Sequence, residues 1–433
     1  MTYAETLSGK ERKRGRLYAY GSSLTGCISE VMLDNSAVMI ILFTMLQSGD
    51  TLTMLATSLT GVFGVFLYIP SGLIASRFGL KRTVFYSCLT GCCGFLLIAA
   101  APFLGIGAAK YIAFAGCMLY CLQRSCYGAA WYPLVDVFLR PEDRGGFFGT
   151  MRFMYSGFCG VLLLAIGFIL LLDPSIMVLQ LAIAIAGIAL LGRSWCISRF
   201  PDNRRDAPEK PDIKRALSIS LKNGPLTSYS VYNCLLMLVY SSLAPVTFLY
   251  LKQYVNMKSG TVQIISAVGM GGLIFGYFCY SRFLKHIKLK YLELFVHLLI
   301  TVEAFVLFTA DKGMPFFAVI MGGVIFMNFF GFSLYMCNNS AELLALARPG
   351  NKIMAAAFIQ TYSSAGAAIS RLTVSLILGT SLLAPSWECA GREVSRYQTL
   401  FLFFGVLSLI FLVMLPVLPS FIPEHEDYYE PEK

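Results

Sequence analysis

Glu30 and Asp34 stand one helical turn apart in a run, residues 17 to 46, that carries no other charge. Carboxyls spaced by four share one face of a helix, where they can pair with a cation or exchange a proton. An acid at the bilayer centre costs about 3 kcal/mol on insertion scales, so such a pair needs a partner, a proton or water. Arg124, in a second apolar run, is the expected partner: counted along each helix at 1.5 Å per residue, its depth matches that of Glu30 within a few ångströms. One Arg cannot neutralise two carboxylates, so one acid is left to take up a proton, and the two titrate as a pair. Glu30, Asp34 and Arg124 are therefore the expected proton-coupling residues.

Helices in a bilayer must position these groups. The chain has 433 residues, 57% hydrophobic and 13% charged, with a mean hydropathy of +0.69. A soluble domain is about twice as charged. Backbone amides in hydrocarbon must be satisfied within their own segment, so the expectation is an all-α polytopic membrane protein. The net charge of +10 does not indicate nucleic acid, since no soluble domain remains to carry a basic face. Of the 13 Cys only Cys389 falls in a predicted loop, and His286, His297 and His425 are scattered. No metal site, cofactor or enzyme chemistry is expected from them. The amino terminus lacks the pattern of a removable signal peptide.

Apolar runs predict twelve spans, near residues 18–46, 52–75, 83–104, 108–133, 147–172, 175–199, 226–251, 260–281, 290–310, 315–343, 354–380 and 397–419. The one long polar break, 201–225, is rich in Pro and charge and reads as a central cytoplasmic loop. It divides the chain into a basic tail (1–17), a six-helix bundle (18–200), the loop, a second six-helix bundle (226–419) and an acidic tail (420–433). The odd-numbered connections hold only Lys110, Lys252, Lys258, Lys312, Arg392 and Arg396. The positive-inside rule then places both termini in the cytoplasm, and the basic KERKRGR at 10–16 reads as a topology signal. Ser-Arg-Phe recurs at 76–78 and 281–283, and RPEDR (140–144) is echoed by RPGNK (348–352). Parallel repeats of this kind build two-bundle transporters with a site between the halves.

The segment Gly72-Leu-Ile-Ala-Ser76-Arg77-Phe-Gly79-Leu-Lys81-Arg82 resembles the loop between spans two and three of the major facilitator superfamily. It departs at Ser76, where that family has Asp; a Ser there can still cap a helix end. Arg124-Ser-Cys-Tyr127-Gly128-Ala-Ala is similar to the family's fourth-span pattern, and Asp136 with Pro141-Glu142-Asp143-Arg144-Gly145 to the loop that follows. The resemblance implies two pseudo-symmetric six-helix bundles rocking about a central cavity lined by spans one, four, seven and ten. It also implies gating-loop roles for Gly72, Ser76, Arg77, Gly79, Lys81, Arg82, Asp136, Glu142 and Arg144, and a monomer. The fifth span lacks the Gly-Pro pair associated with drug/proton antiporters of the family.

Polar residues at helical spacing mark the same four spans. Ser23, Gly26, Glu30 and Asp34 align in span one; Tyr120, Arg124, Tyr127 and Trp131 in span four; Tyr229, Asn233 and Tyr240 in span seven; Asn328, Tyr335, Asn338 and Glu342 in span ten. Span eleven adds Gln360 and a second buried cation, Arg371. Asn35, Tyr127, Asn233, Tyr240, Asn328, Tyr335, Asn338, Gln360 and Arg371 are the expected solute contacts. Glu303, in the middle of span nine, fits no expected role, since the family places that span at the periphery. The expectation is a secondary active transporter of a small organic solute coupled to H+, in a bacterial inner (plasma) membrane. Drug efflux is the alternative, and a non-transporting sensor a weaker one. The expected partners are the solute, H+ and the lipid bilayer, with no nucleic acid.

Overall fold

The computed structural model describes residues 6–34, 36–140, 144–173, 175–201, 213–282, 287, 289–347, 351–380, 382–389 and 391–417. The first span is α1 (Gly9–Leu33) and α2 (Val38–Met45), followed by α3 (Gly49–Phe78), α4 (Leu80–Ala100), α5 (Ile106–Asp136), α6 (Arg144–Leu172) and α7 (Ile176–Ser198). A short α8 (Ile213–Leu221) leads to α9 (Gly224–Leu249), then α10 (Ser259–Arg282), α11 (Leu289–Thr309), α12 (Phe317–Leu346) and α13 (Lys352–Gly379). A hairpin of β1 (Ser386–Cys389) and β2 (Arg392–Ser395) precedes α14 (Arg396–Val417). Among the described residues nine helices are long and apolar enough to cross a membrane, and α1 with α2 makes a tenth, bent by 46°. The 31-residue α5 and 28-residue α13 are also long enough, and carry Arg124 and Arg371 within them.

The first span is not the unbroken helix expected over 18–46. Asp34 and Ser36 are short polar residues of the kind that compete with helical hydrogen bonds. Asp34 ends α1 with an extended backbone (φ −108°, ψ 148°), its N–H still donating to Glu30 O. Backbone released at membrane depth needs partners. The Val38 N–H donates to Ser36 Oγ (3.3 Å), and the Ala37 N–H to Ser266 Oγ of α10 (3.2 Å). The break is thus tied to the second half of the chain.

Two further expectations change. The helix begins at Gly9 rather than at 18, because Ser8 and Glu11 form a reciprocal capping box; residues 10–16 are therefore helical. Within the expected loop 201–225, residues 213–221 form α8, while 202–212 lie outside the described residues. Asn351 holds α8 by donating to Ala216 O and Ser220 Oγ (both 3.1 Å).

In the first half α4 packs on α5 and α7, α1 on α7 and α6, and α3 on α5; in the second α9 packs on α13, α10 on α12, and α11 on α12 and α14. The halves meet along a seam of two helix pairs, α3 with α13 and α6 with α10. Small residues allow the close approach. A Cβ at Gly61 would lie 2.9 Å from the Ala368 nitrogen, and one at Gly260 2.6 Å from the Gly167 carbonyl. Contacts of α3 across the seam lie toward the end away from the termini: Ser375 Oγ of α13 donates to Thr51 O (2.8 Å), and Asp50 accepts from both Arg396 and the Tyr397 hydroxyl at the start of α14. Nearer the termini Gly72 faces open space, and Ile74, Phe78 and Gln360 are exposed. The cross-seam contacts of Asp50 and Thr51 thus lie at the far end.

Candidate functional site

Glu30, Asp34 and Arg124 do come together. Arg124 Nε lies 2.9 Å from Asp34 Oδ2, and its Nη1 3.4 Å from Glu30 Oε2. The side chains are partly accessible, at 32% for Arg124, 14% for Glu30 and 13% for Asp34. None of the three side chains is sealed completely in the interior.

The expected charge deficit is absent, because a second guanidinium enters from α7. Arg193 Nη2 lies 2.7 Å from Glu30 Oε1, with only 2% of the Arg side chain exposed. Its Nε donates to Ser22 O (3.1 Å), and its guanidinium carbon sits 4.0 Å from the centre of the Tyr127 ring. Room for it exists only because α1 has no side chain at Gly26. Tyr155 of α6 donates to Glu30 Oε2 (3.2 Å). Two cations thus face two carboxylates, and Glu30 is engaged at both oxygens. Reasoning from the sequence missed Arg193, although it is the lone charge in Ile176–Ser198. Close to a span end it reads as a cation snorkelling to the headgroups.

The second half offers a different chemistry. Arg371 donates from Nε to Ser241 O (3.1 Å) and from Nη1 to Thr57 O across the seam; among the described residues no carboxylate pairs with it. Tyr240 donates to Asn328 Oδ1 (2.9 Å), and Asn328 Nδ2 donates to both oxygens of Glu303 (2.9 and 3.0 Å). Ten positions away on both α11 and α12 a second Asn–Glu pair occurs, here with the tyrosine on the acid itself. Asn338 Nδ2 donates to Glu293 Oε1 (3.3 Å), and Tyr232 to Glu293 Oε2. His297 stands beside Tyr232, its Nδ1 3.4 Å from the hydroxyl. Glu293 and Glu303 are 0% and 4% exposed. Glu303 faces α12 rather than lipid, which gives it the interior place the sequence could not assign.

Of the other expected solute contacts, Tyr335 lies 3.4 Å from Ser363 Oγ, and Asn233 is fully buried, donating to Tyr229 O (3.0 Å). These two belong to the interior of the second half. Gln360 is exposed, and Asn35 lies outside the described residues. In the gating segment α3 runs through Ser76 to Phe78, so Ser76 lies within the helix rather than at the start of the next one. Gly79 takes φ +90° between α3 and α4, a conformation that suits glycine. Lys81 Nζ donates to Phe200 O (2.6 Å), while Arg77 and Arg82 are exposed. The side chains of Ser76, Asp136 and Arg144, and the whole of Glu142, lie outside the described set.

Comparison with known proteins agrees with this architecture. The sequence model of the Major Facilitator Superfamily matches residues 24–371. The solved structure of the nucleoside transporter NupG is similar at 13% identity and a TM-score of 0.65, over 94% of this chain and 98% of that one. An auto-inhibited peptide transporter of the POT family is similar at 14% identity and a TM-score of 0.68, over 97% and 99%. The xylose transporter XylE from E. coli, in a partially occluded inward-open conformation, is similar at 12% identity and a TM-score of 0.69, over 98% and 100%. No curated protein matches the chain in sequence.

Proposed function

The chain belongs to the major facilitator superfamily, and from that premise we propose a secondary active transporter that moves a small polar organic solute by alternating access, coupled to protons. The observation that carries this reading is the placement of Arg124, Asp34 and Arg371 about the seam between the two halves, partway along it. Buried charge at membrane depth marks a substrate or ion path. Arg371, held by backbone oxygens of both halves, is suited to receive an acceptor group of the solute. The resembled structures are those of nucleoside, peptide and xylose transporters, all handling polar solutes, which supports the same class here.

Coupling is assigned to the Asp34–Arg124 pair. Glu30 is anchored by Arg193, Arg124 and Tyr155, whereas Asp34 sits at the helix break, where backbone rotation can carry it off Arg124. A proton on Asp34 would release Arg124 to the solute. With both termini cytoplasmic, the closed far end of α3 and α13 makes this an inward-facing arrangement.

Efflux of amphipathic cations is less well supported. That chemistry needs an acid free to meet the cation, and both acids of α1 are already matched by Arg124 and Arg193.

A thermal-shift screen of the purified protein against nucleosides, sugars, short peptides and organic anions at two pH values tests the reading. A polar solute whose stabilising effect changes with pH and falls in Arg371→Ala supports it. Stabilisation by hydrophobic cations alone overturns it.

A further inference from the structure

Tyr240, Asn328 and Glu303 form a single chain of hydrogen bonds, from α9 beside the seam to a carboxyl 4% exposed between α11 and α12. Tyr240 is partly buried, stacks on Phe332 (5.1 Å, 4° between planes) and precedes Ser241, whose carbonyl holds Arg371. One end of the chain therefore reaches the path assigned to the solute, and the other ends on an acid.

The titratable and charged groups facing Glu303 are few. From α9 there is Tyr240, with Arg371 of α13 and Tyr277 of α10 beyond it. On α12 the contact is Asn328, a neutral amide. From α14 the described residues near it are apolar or hydroxylic: Gly405 packs on Ala304 and Phe305, and Ser408 meets Thr301. On its own helix Glu293 lies about 15 Å away along the axis. Among the described residues no cation pairs with Glu303, and burial of an unpaired carboxylate is costly.

A side-chain amide has a donor at one end and an acceptor at the other, and rotation by half a turn exchanges them. With Glu303 ionised, Asn328 must present Nδ2 to it, and its Oδ1 then accepts from Tyr240, the arrangement observed. With Glu303 protonated, the new O–H must donate to Oδ1. The amide turns over, Nδ2 donates to the Tyr240 oxygen, and the Tyr240 hydrogen is freed. That hydrogen can then reach Asn328 O, 3.3 Å away, or an acceptor in the seam.

We propose that Glu303 is a proton-binding site of the second half, and that the Asn328 amide transmits its protonation to the seam by reversing the hydrogen-bond polarity of Tyr240. An O–H bond of hydronium breaks as its proton adds to a Glu303 oxygen, leaving water, and the rest of the relay exchanges only hydrogen bonds. Protonated, the relay offers a donor to the solute; ionised, it withdraws it. The inference deepens the proton-coupled reading above and rests on it for its purpose.

Infrared difference spectroscopy of the purified protein tests this with pH as the only variable and no solute added. A carboxylic carbonyl band and a tyrosine C–O band are expected to titrate together. Glu303→Gln should remove both changes, since Gln permanently offers a donor. Tyr240→Phe should remove the tyrosine change alone, and Asn328→Leu should leave the carboxyl titrating while the tyrosine no longer follows. A tyrosine change that survives Glu303→Gln, or coupling that survives Asn328→Leu, overturns the proposal. If Glu303→Gln does not fold, the other two variants decide it. Gradient-driven uptake without this paired titration rejects the relay alone. The titration without such uptake rejects the carrier reading.

Discussion

Arg193 lies directly over Gly26: a Cβ built on that glycine would fall 1.6 Å from the guanidinium carbon and two of its nitrogens. The glycine of α1 is thus the opening through which a buried cation of α7 reaches Glu30. A missing side chain on one helix and a charged one on another act as a unit.

Gly26→Ala is accordingly expected to push Arg193 off Glu30. Separating a buried ion pair costs about 3 kcal/mol or more, because each partner is left uncompensated. Denaturation in detergent should register that loss together with loss of transport. Arg193→Met with Glu30→Leu should be less damaging than Arg193→Met alone, since removing both charges leaves none unpaired. Equal stability of Gly26→Ala and wild type would show that the pair is not structural.

The far end of the seam should respond to Asp50. Its carboxylate in the first half accepts from Arg396 and Tyr397 in the second. A partly exposed pair of this kind contributes up to about 1 kcal/mol, or about fivefold in the balance between closed and open. Asp50→Asn should raise the labelling rate of a cysteine placed at Thr51 with an impermeant maleimide by up to about that factor. An unchanged rate would remove Asp50 from the latch.

Glu11 gives a pH dependence outside the membrane. Ser8, through its side chain and then its backbone N–H, holds the carboxyl below its usual value of 4.5. The lowered group stabilises the helix start at neutral pH, and that contribution disappears only as pH falls through the depressed value. A spin label at Lys10 should gain mobility at a higher pH in Ser8→Ala than in wild type.

The spans were legible because each is an apolar run near the length a bilayer demands, and the gathering of Glu30, Asp34 and Arg124 because helical spacing and depth can be counted. The break at Asp34 was hidden by the apolar residues on either side, although the short polar Asp34 and Ser36 were in view. Arg193 could not be placed without knowing that α7 turns that face toward Gly26. Glu303 and Glu293 became intelligible only when α11 and α12 were seen in register, each acid opposite an Asn. The helix Ile213–Leu221 and the hairpin before α14 were too short to stand out among polar neighbours.

In the proposed mechanism solute movement is coupled to protons through Asp34. Protein reconstituted into vesicles with an imposed pH gradient, supplied with the solute found by the stabilisation screen, tests it most directly. Wild type should accumulate the solute above its outside concentration only while the gradient lasts, whereas Asp34→Asn should exchange it without accumulation. Gradient-driven accumulation by Asp34→Asn equal to that of wild type would remove Asp34 from proton coupling.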